Sequence, residues 1–171
     1  MATTYEAIAT TTVGSGGAAN IEFTSIPGTY TDLCILLSAR QSGTGASNSR
    51  LTFNNNTTSY SSRQLYGTGS TAGSDTGSGI STAILAGFST ENNNTASTFS
   101  NHQIYVPNYT SSNNKSVSID AVQETNASTA YMNIVAGLWS NASAITSVKL
   151  TPETGSWVQY STATLYGIKN S

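Results

Sequence analysis

A chain of 171 residues is the length of one ordinary domain, able to bury roughly 70% of the surface its unfolded form exposes and so to fold without covalent staples. Ser plus Thr supply 54 residues and Asn 16, whereas charged residues make up only 8%, against about 25% in an average soluble protein. Six Lys plus Arg against eight acids leave no basic footprint for nucleic acid, no apolar run approaches the 18 or so residues of a membrane span, and no signal-peptide pattern opens the chain.

The pattern along the chain is that of strands. Residues 3–13 alternate Tyr5, Ala7 and Ala9 with polar neighbours, and Met1 to Tyr5 could form an extended arm that clasps a neighbour. Ile21-Glu22-Phe23 alternates in the same way before the turn signal Ile26-Pro27-Gly28. Asp32 to Ala39 is apolar on both faces, which predicts a central strand covered on each side. Shorter strands are expected around Leu51 to Phe53 and Tyr60 to Tyr66. The tract Gly67 to Gly79 is rich in Gly and Ser and reads as a loop. Ile80 to Phe88, Phe99 to Val106, Ser116 to Gln123, Ala130 to Leu138, Ile145 to Thr151 and Ser161 to Ile168 follow. Abundant Thr suits the half-exposed pleated surface of a strand. Residues 1–171 are therefore expected to form one all-β domain, an antiparallel jelly-roll-like β-sandwich of about ten strands. Phe23, Leu33, Ile35, Leu37, Leu51, Phe53, Ile104, Val117, Ile119, Ile134, Ala136, Leu138, Val148, Leu150, Leu165 and Ile168 are the expected inner face.

The inventory for chemistry is short. Cys34 is alone in an apolar run, which excludes an internal disulfide or a thiolate metal cage and reads as a buried small hydrophobe. His102 is the single histidine, with no Gly-x-Ser-x-Gly elbow to activate, and is expected to make a structural hydrogen bond on a strand. The eight acids show no metal-ligand spacing, and Gly14-Ser15-Gly16-Gly17 precedes neither a helix nor a Lys, so no metal or cofactor is expected. Two carboxylates brought together by folding remain the one route to glycoside hydrolysis. Otherwise no enzymatic activity is expected. Trp139 follows Gly137-Leu138 at a strand end and Trp157 follows a Gly155-Ser156 turn; both read as core or rim packing ahead of ligand stacking.

Nine Tyr and many amides suit sugar stacking or protein docking. Tyr105, Asn108, Tyr109, Asn113 and Asn114 form the candidate contact site for a partner or a glycan: Pro107 must end or edge its strand, which places Tyr109 at the start of an exposed loop. The alternative is that Tyr105 and Tyr109 cover the end of the sandwich.

Three stretches carry a resemblance. Phe23-Thr24-Ser25-Ile26-Pro27-Gly28-Thr29-Tyr30-Thr31-Asp32-Leu33, then Ala136-Gly137-Leu138-Trp139 with Ala144-Ile145-Thr146-Ser147, and finally Ser161-Thr162-Ala163-Thr164-Leu165-Tyr166-Gly167-Ile168-Lys169 are together similar to small virion-associated proteins of tailed bacteriophages, of marine and cyanobacterial phages in particular. The resemblance spans nearly the whole chain and carries no catalytic residues. It implies a jelly-roll sandwich displayed on the virion, commonly as a trimer, in contact with the major capsid protein or tail proteins. The first expectation is a capsid decoration or cement protein, a homotrimer that hides its sheet edges. The alternative is a tail-fibre or receptor-binding module recognising host surface carbohydrate.

Overall fold

The computed structural model describes residues 4–77, 81–127 and 129–169, and these fold into antiparallel sheets without a helix. Among the described residues there are twelve strands where about ten were expected: β1 (Thr4–Thr12), β2 (Ile21–Phe23), β3 (Asp32–Ala39), β4 (Asn48–Phe53), β5 (Tyr60–Gly67), β6 (Ala72–Asp75), β7 (Ile84–Phe88), β8 (Ser100–Val106), β9 (Lys115–Gln123), β10 (Tyr131–Trp139), β11 (Val148–Pro152) and β12 (Thr162–Lys169). The strand that the sequence hides is β6. It lies inside the Gly67 to Gly79 tract read as a loop, because Ala72 to Asp75 has no apolar face and is held only by pairing with β5. Thr4 and Tyr5, expected as part of an arm, pair instead with Lys169 and Ile168 of the same chain; Met1 to Thr3 lie outside the described residues.

The broad sheet runs β1-β12-β3-β8-β9-β10-β5-β6 and the narrow sheet β2-β11-β4-β7. The chain changes sheets at every connection except β5–β6, β8–β9 and β9–β10, so loops gather at the two ends of the sandwich. Between the sheets lies one core that includes Leu33, Ile35, Leu37, Phe53, Ile104, Val148, Leu150, Leu165, Trp139 and Trp157. Trp139 stacks on Tyr60 with ring centroids 6.1 Å apart and packs against Phe53 at 5.6 Å. The Tyr60 hydroxyl accepts from the Phe53 N–H at 2.8 Å, so this aromatic knot also fixes the turn after β4. Trp157 Nε1 donates to the Leu150 carbonyl at 3.2 Å. Both tryptophans are core residues, as expected.

β3 is central, between β12 and β8, but only one of its faces is covered by the second sheet. Leu33, Ile35 and Leu37 point into the core while Leu36 is exposed on the outer face. Cys34 escapes exposure because it stands directly between Tyr166 and Tyr105 on the neighbouring strands; burial raises its thiol pKa, in keeping with an inert side chain.

β10 corrects the expected core. Its inward residues are Asn133, Val135, Gly137 and Trp139, whereas Ile134 and Ala136 are exposed and Leu138 is half-exposed. A strand's alternation offers two faces, and the bulk of Trp139 together with close sheet contact at Gly137 selects the one with fewer aliphatics. β7 lies across β10 and β9. A Cβ on Gly137 would stand 2.7 Å from Ile84 Cγ2, and one on Gly87, whose φ is +87°, would stand 2.4 Å from the Ala121 Cβ. Glycine at both positions lets the narrow sheet settle onto the broad one.

Urea denaturation tests this packing: Gly137→Ala should lose on the order of 1–3 kcal/mol by overpacking, while the neighbouring exposed Ala136→Ser should stay within about 0.5 kcal/mol. Equal effects would mean that the alternation of β10 is inverted.

Candidate functional site

The site nominated by sequence is the connection from β8 to β9, and three of its residues, Tyr105, Asn108 and Tyr109, are occupied with holding the chain together. Asp32, buried at the start of β3, accepts the Tyr105 hydroxyl at 2.7 Å and the Asn108 N–H at 2.8 Å. That bond to the carboxylate, aided by desolvation, pushes the Tyr105 phenol up to about 12. Asn108 takes a left-handed φ of 48° to make the turn, a conformation Asn tolerates, and its carbonyl accepts from the Ser111 N–H at 3.0 Å.

Tyr109 does not open an exposed loop: it is 0% exposed. Its hydroxyl donates to the Pro27 carbonyl and its own carbonyl accepts from the Ile145 N–H. The apolar ring fills the end of the core and its polar tip finds a loop carbonyl, which is how a buried tyrosine is satisfied. Sugar stacking on Tyr109 is therefore excluded by burial, and the alternative reading, in which it covers the sandwich end, is the one realised. Asn113 and Asn114 are exposed. Next to them Lys115, 1% exposed, donates from Nζ to the carbonyls of Ser111, at 2.8 Å, and Asn113.

The opposite end of the sandwich is built alike. Arg40, just after β3, donates from Nη1 to the carbonyls of Thr95 and Thr98 and from Nη2 to those of Asn92 and Asn94, at 2.8–3.2 Å. Buried Glu91 accepts the N–H groups of Gly45 and Ser47. Neither Arg40, Glu91 nor Lys115 takes part in the ion pairs found among the described residues, which are Arg50–Glu153, Lys149–Glu22 and Lys169–Glu6.

His102 is fully buried in β8. Nδ1 donates to the Ala86 carbonyl at 2.8 Å, since that oxygen can only accept. Nε2 lies 3.0 Å from the Ser100 hydroxyl, which also faces the Ala39 carbonyl at 2.8 Å. Burial holds the ring neutral and lowers its pKa to about 4 despite the bond to Ala86.

Two carboxylates do share a cleft, of about 460 Å³, where Asp75 and Glu153 meet Asn48 and Phe88. Burial pushes the Glu153 carboxyl up, but the Asn48 N–H at 2.8 Å and Arg50 at 2.7 Å outweigh it, and the group stays below the usual carboxylate range. Such a carboxylate is poorly suited to donating a proton. Among the described residues no group of three or more His, Cys, Asp and Glu side chains could hold a metal ion.

Sequence reasoning missed the outer face of the broad sheet. Leu65 on β5, Met132 and Ile134 on β10 and Val122 on β9 are 64%, 64%, 68% and 37% exposed. They are adjacent: Val122 is paired with Met132, and Ile134 with Leu65. A groove of about 350 Å³ runs beside them between Leu65, Ile134 and Arg63. The aliphatic alternation of Ile134, Ala136 and Leu138 points to the core and so hides the patch; the alternate set ending in Trp139 carries the correcting signal.

Comparison of the chain with protein-family models, curated proteins and solved structures finds no match.

His102 sets a pH dependence. The unfolded ring takes a proton near 6.5 and the folded one only near 4, so the neutral ring's contribution is complete above pH 6.5 and is lost as pH falls toward 4. The loss is about 3 kcal/mol at pH 4. Chemical denaturation at pH 7 and pH 4 should show that much less pH-dependent loss in His102→Gln than in the parent; an identical loss in both would contradict it.

Proposed function

We propose that this chain is a structural protein of a bacteriophage particle, an oligomeric decoration or cement module on the capsid surface, with the major capsid protein as its other partner. The observation that carries the reading is the strand order. The half-sheet β1-β12-β3-β8 lies in one layer and β2-β11-β4-β7 in the other, with β9, β10, β5 and β6 widening the first. This supports a jelly roll, an architecture used by viral capsid and lectin domains.

A fold alone assigns no role. The three stretches that resemble virion proteins of tailed phages add the particle. Loops pinned at both ends by buried charges suit a rigid module, and the inventory of His102 and Glu153, each committed to structural bonds, favours a non-catalytic one. The open outer face supports association. Glycan recognition by Tyr109 loses its aromatic platform to the core, which leaves the capsid reading ahead of a receptor-binding fibre.

Immunogold labelling of purified phage particles with an antibody to this chain tests the proposal. Label spread over the head is the expected result. Label confined to the tail would replace decoration by receptor binding, and unlabelled particles would overturn the virion reading.

A further inference from the structure

We infer that two copies of this chain associate face to face through the outer surface of β5, β10 and β9, across a two-fold axis lying in that face along β10. The inference rests on the oligomeric part of the reading above and is independent of where the oligomer resides.

The exposed side chains of Leu65, Val122, Met132 and Ile134 present on the order of 450 Å² of contiguous apolar surface, the size of the largest patch on a typical monomer, which is often functional. With its polar surround, such a face approaches the roughly 800 Å² per partner of a stable interface. Elsewhere on the outer face the exposed apolar side chains stand among polar neighbours: Leu36 is paired with Thr164 and Gln103, Thr10 bonds Thr164 at 3.0 Å, and Asn101 and Gln103 are exposed on β8.

Charge selects a second copy as the occupant. Arg63 on β5 is paired with Ala136, and Asp120 on β9 is paired with Ile134, so cation and anion flank the apolar stripe of β10 on opposite sides. Asp120 takes part in none of the ion pairs among the described residues. A half-turn about β10 carries β5 of one copy over β9 of the other. Met132 and Ile134 then meet their own counterparts. Each Arg63 comes beside the other copy's Asp120, one pleat step away, about 7 Å along the strand and within reach of a long side chain. A two-fold contact repeats each pair, giving two ion pairs around an apolar centre, the arrangement of an isologous interface. Charges of the same sign on both flanks would have set like against like. This geometry yields a dimer, where the resemblance implies a trimer.

Sedimentation velocity of the full chain at micromolar concentration should give a mass twice the 17.7 kDa of the chain. Ile134→Asp should weaken association at least about 10-fold, with an unchanged melting temperature because the position is exposed. Arg63→Asp and Asp120→Arg should each weaken the dimer, and the double variant should regain most of the loss. A monomer, a trimer, a dimer indifferent to Ile134→Asp, or a double variant no better than its single parents would each overturn the inference. Particle labelling bears on the virion reading separately.

Discussion

β3 is a strand with a charge at each end. At its start, Asp32 takes the Tyr105 hydroxyl and the Asn108 N–H; just past its other end, Arg40 donates to four carbonyls between Asn92 and Thr98. The two clamped loops are those on either side of β8, the strand beside β3. An irregular loop that closes the end of a sandwich must turn some carbonyls and N–H groups inward, and each left unmet costs about 1–3 kcal/mol. Helices and ladders cannot satisfy these groups, so ionised side chains do. Glu91 and Lys115 repeat the device with N–H groups and carbonyls respectively. The chain has few charges and commits several to its own backbone.

That economy explains why the functional candidates read from sequence became structural ones. Pro107 and Tyr109 do mark the end of β8, but nothing in the local pattern says that Asp32, far off in the chain, will hold the turn against the sandwich and draw Tyr109 beneath it. Strand positions were legible because period-two alternation and short apolar runs are local properties: β8, β9 and β12 lie close to where alternation places them, and β3 where its apolar run does. Faces were less legible. In β10 both alternating sets contain apolar residues, and the choice is made by tertiary contacts at Gly137 and Trp139 that no local count records. β6 was invisible for the complementary reason, since it is stabilised by a neighbour's backbone rather than by its own side chains.

The inward turn of Trp139 on β10 also creates the surface. Aliphatics in a core are covered; Met132 and Ile134, on the outer face of a sheet with no second layer over it, are open to a partner. The edges give a different picture. β1 is a long edge strand whose single charge, Glu6, is held by Lys169 and by the Tyr30 hydroxyl, and β6 is short. Little on β1 opposes pairing with another strand, so face and edge together make this a module suited to assembly.

The measurement that bears most directly on the charge clamps is the stability of Arg40→Met, which keeps most of the side chain's length and apolar contact while removing all donors. Urea denaturation should show a loss of about 3 kcal/mol or more, and hydrogen exchange should show faster opening in residues 91–98 than in the β9–β10 hairpin. Full stability with unchanged protection of that loop would contradict the view that buried charges hold the ends of this sandwich.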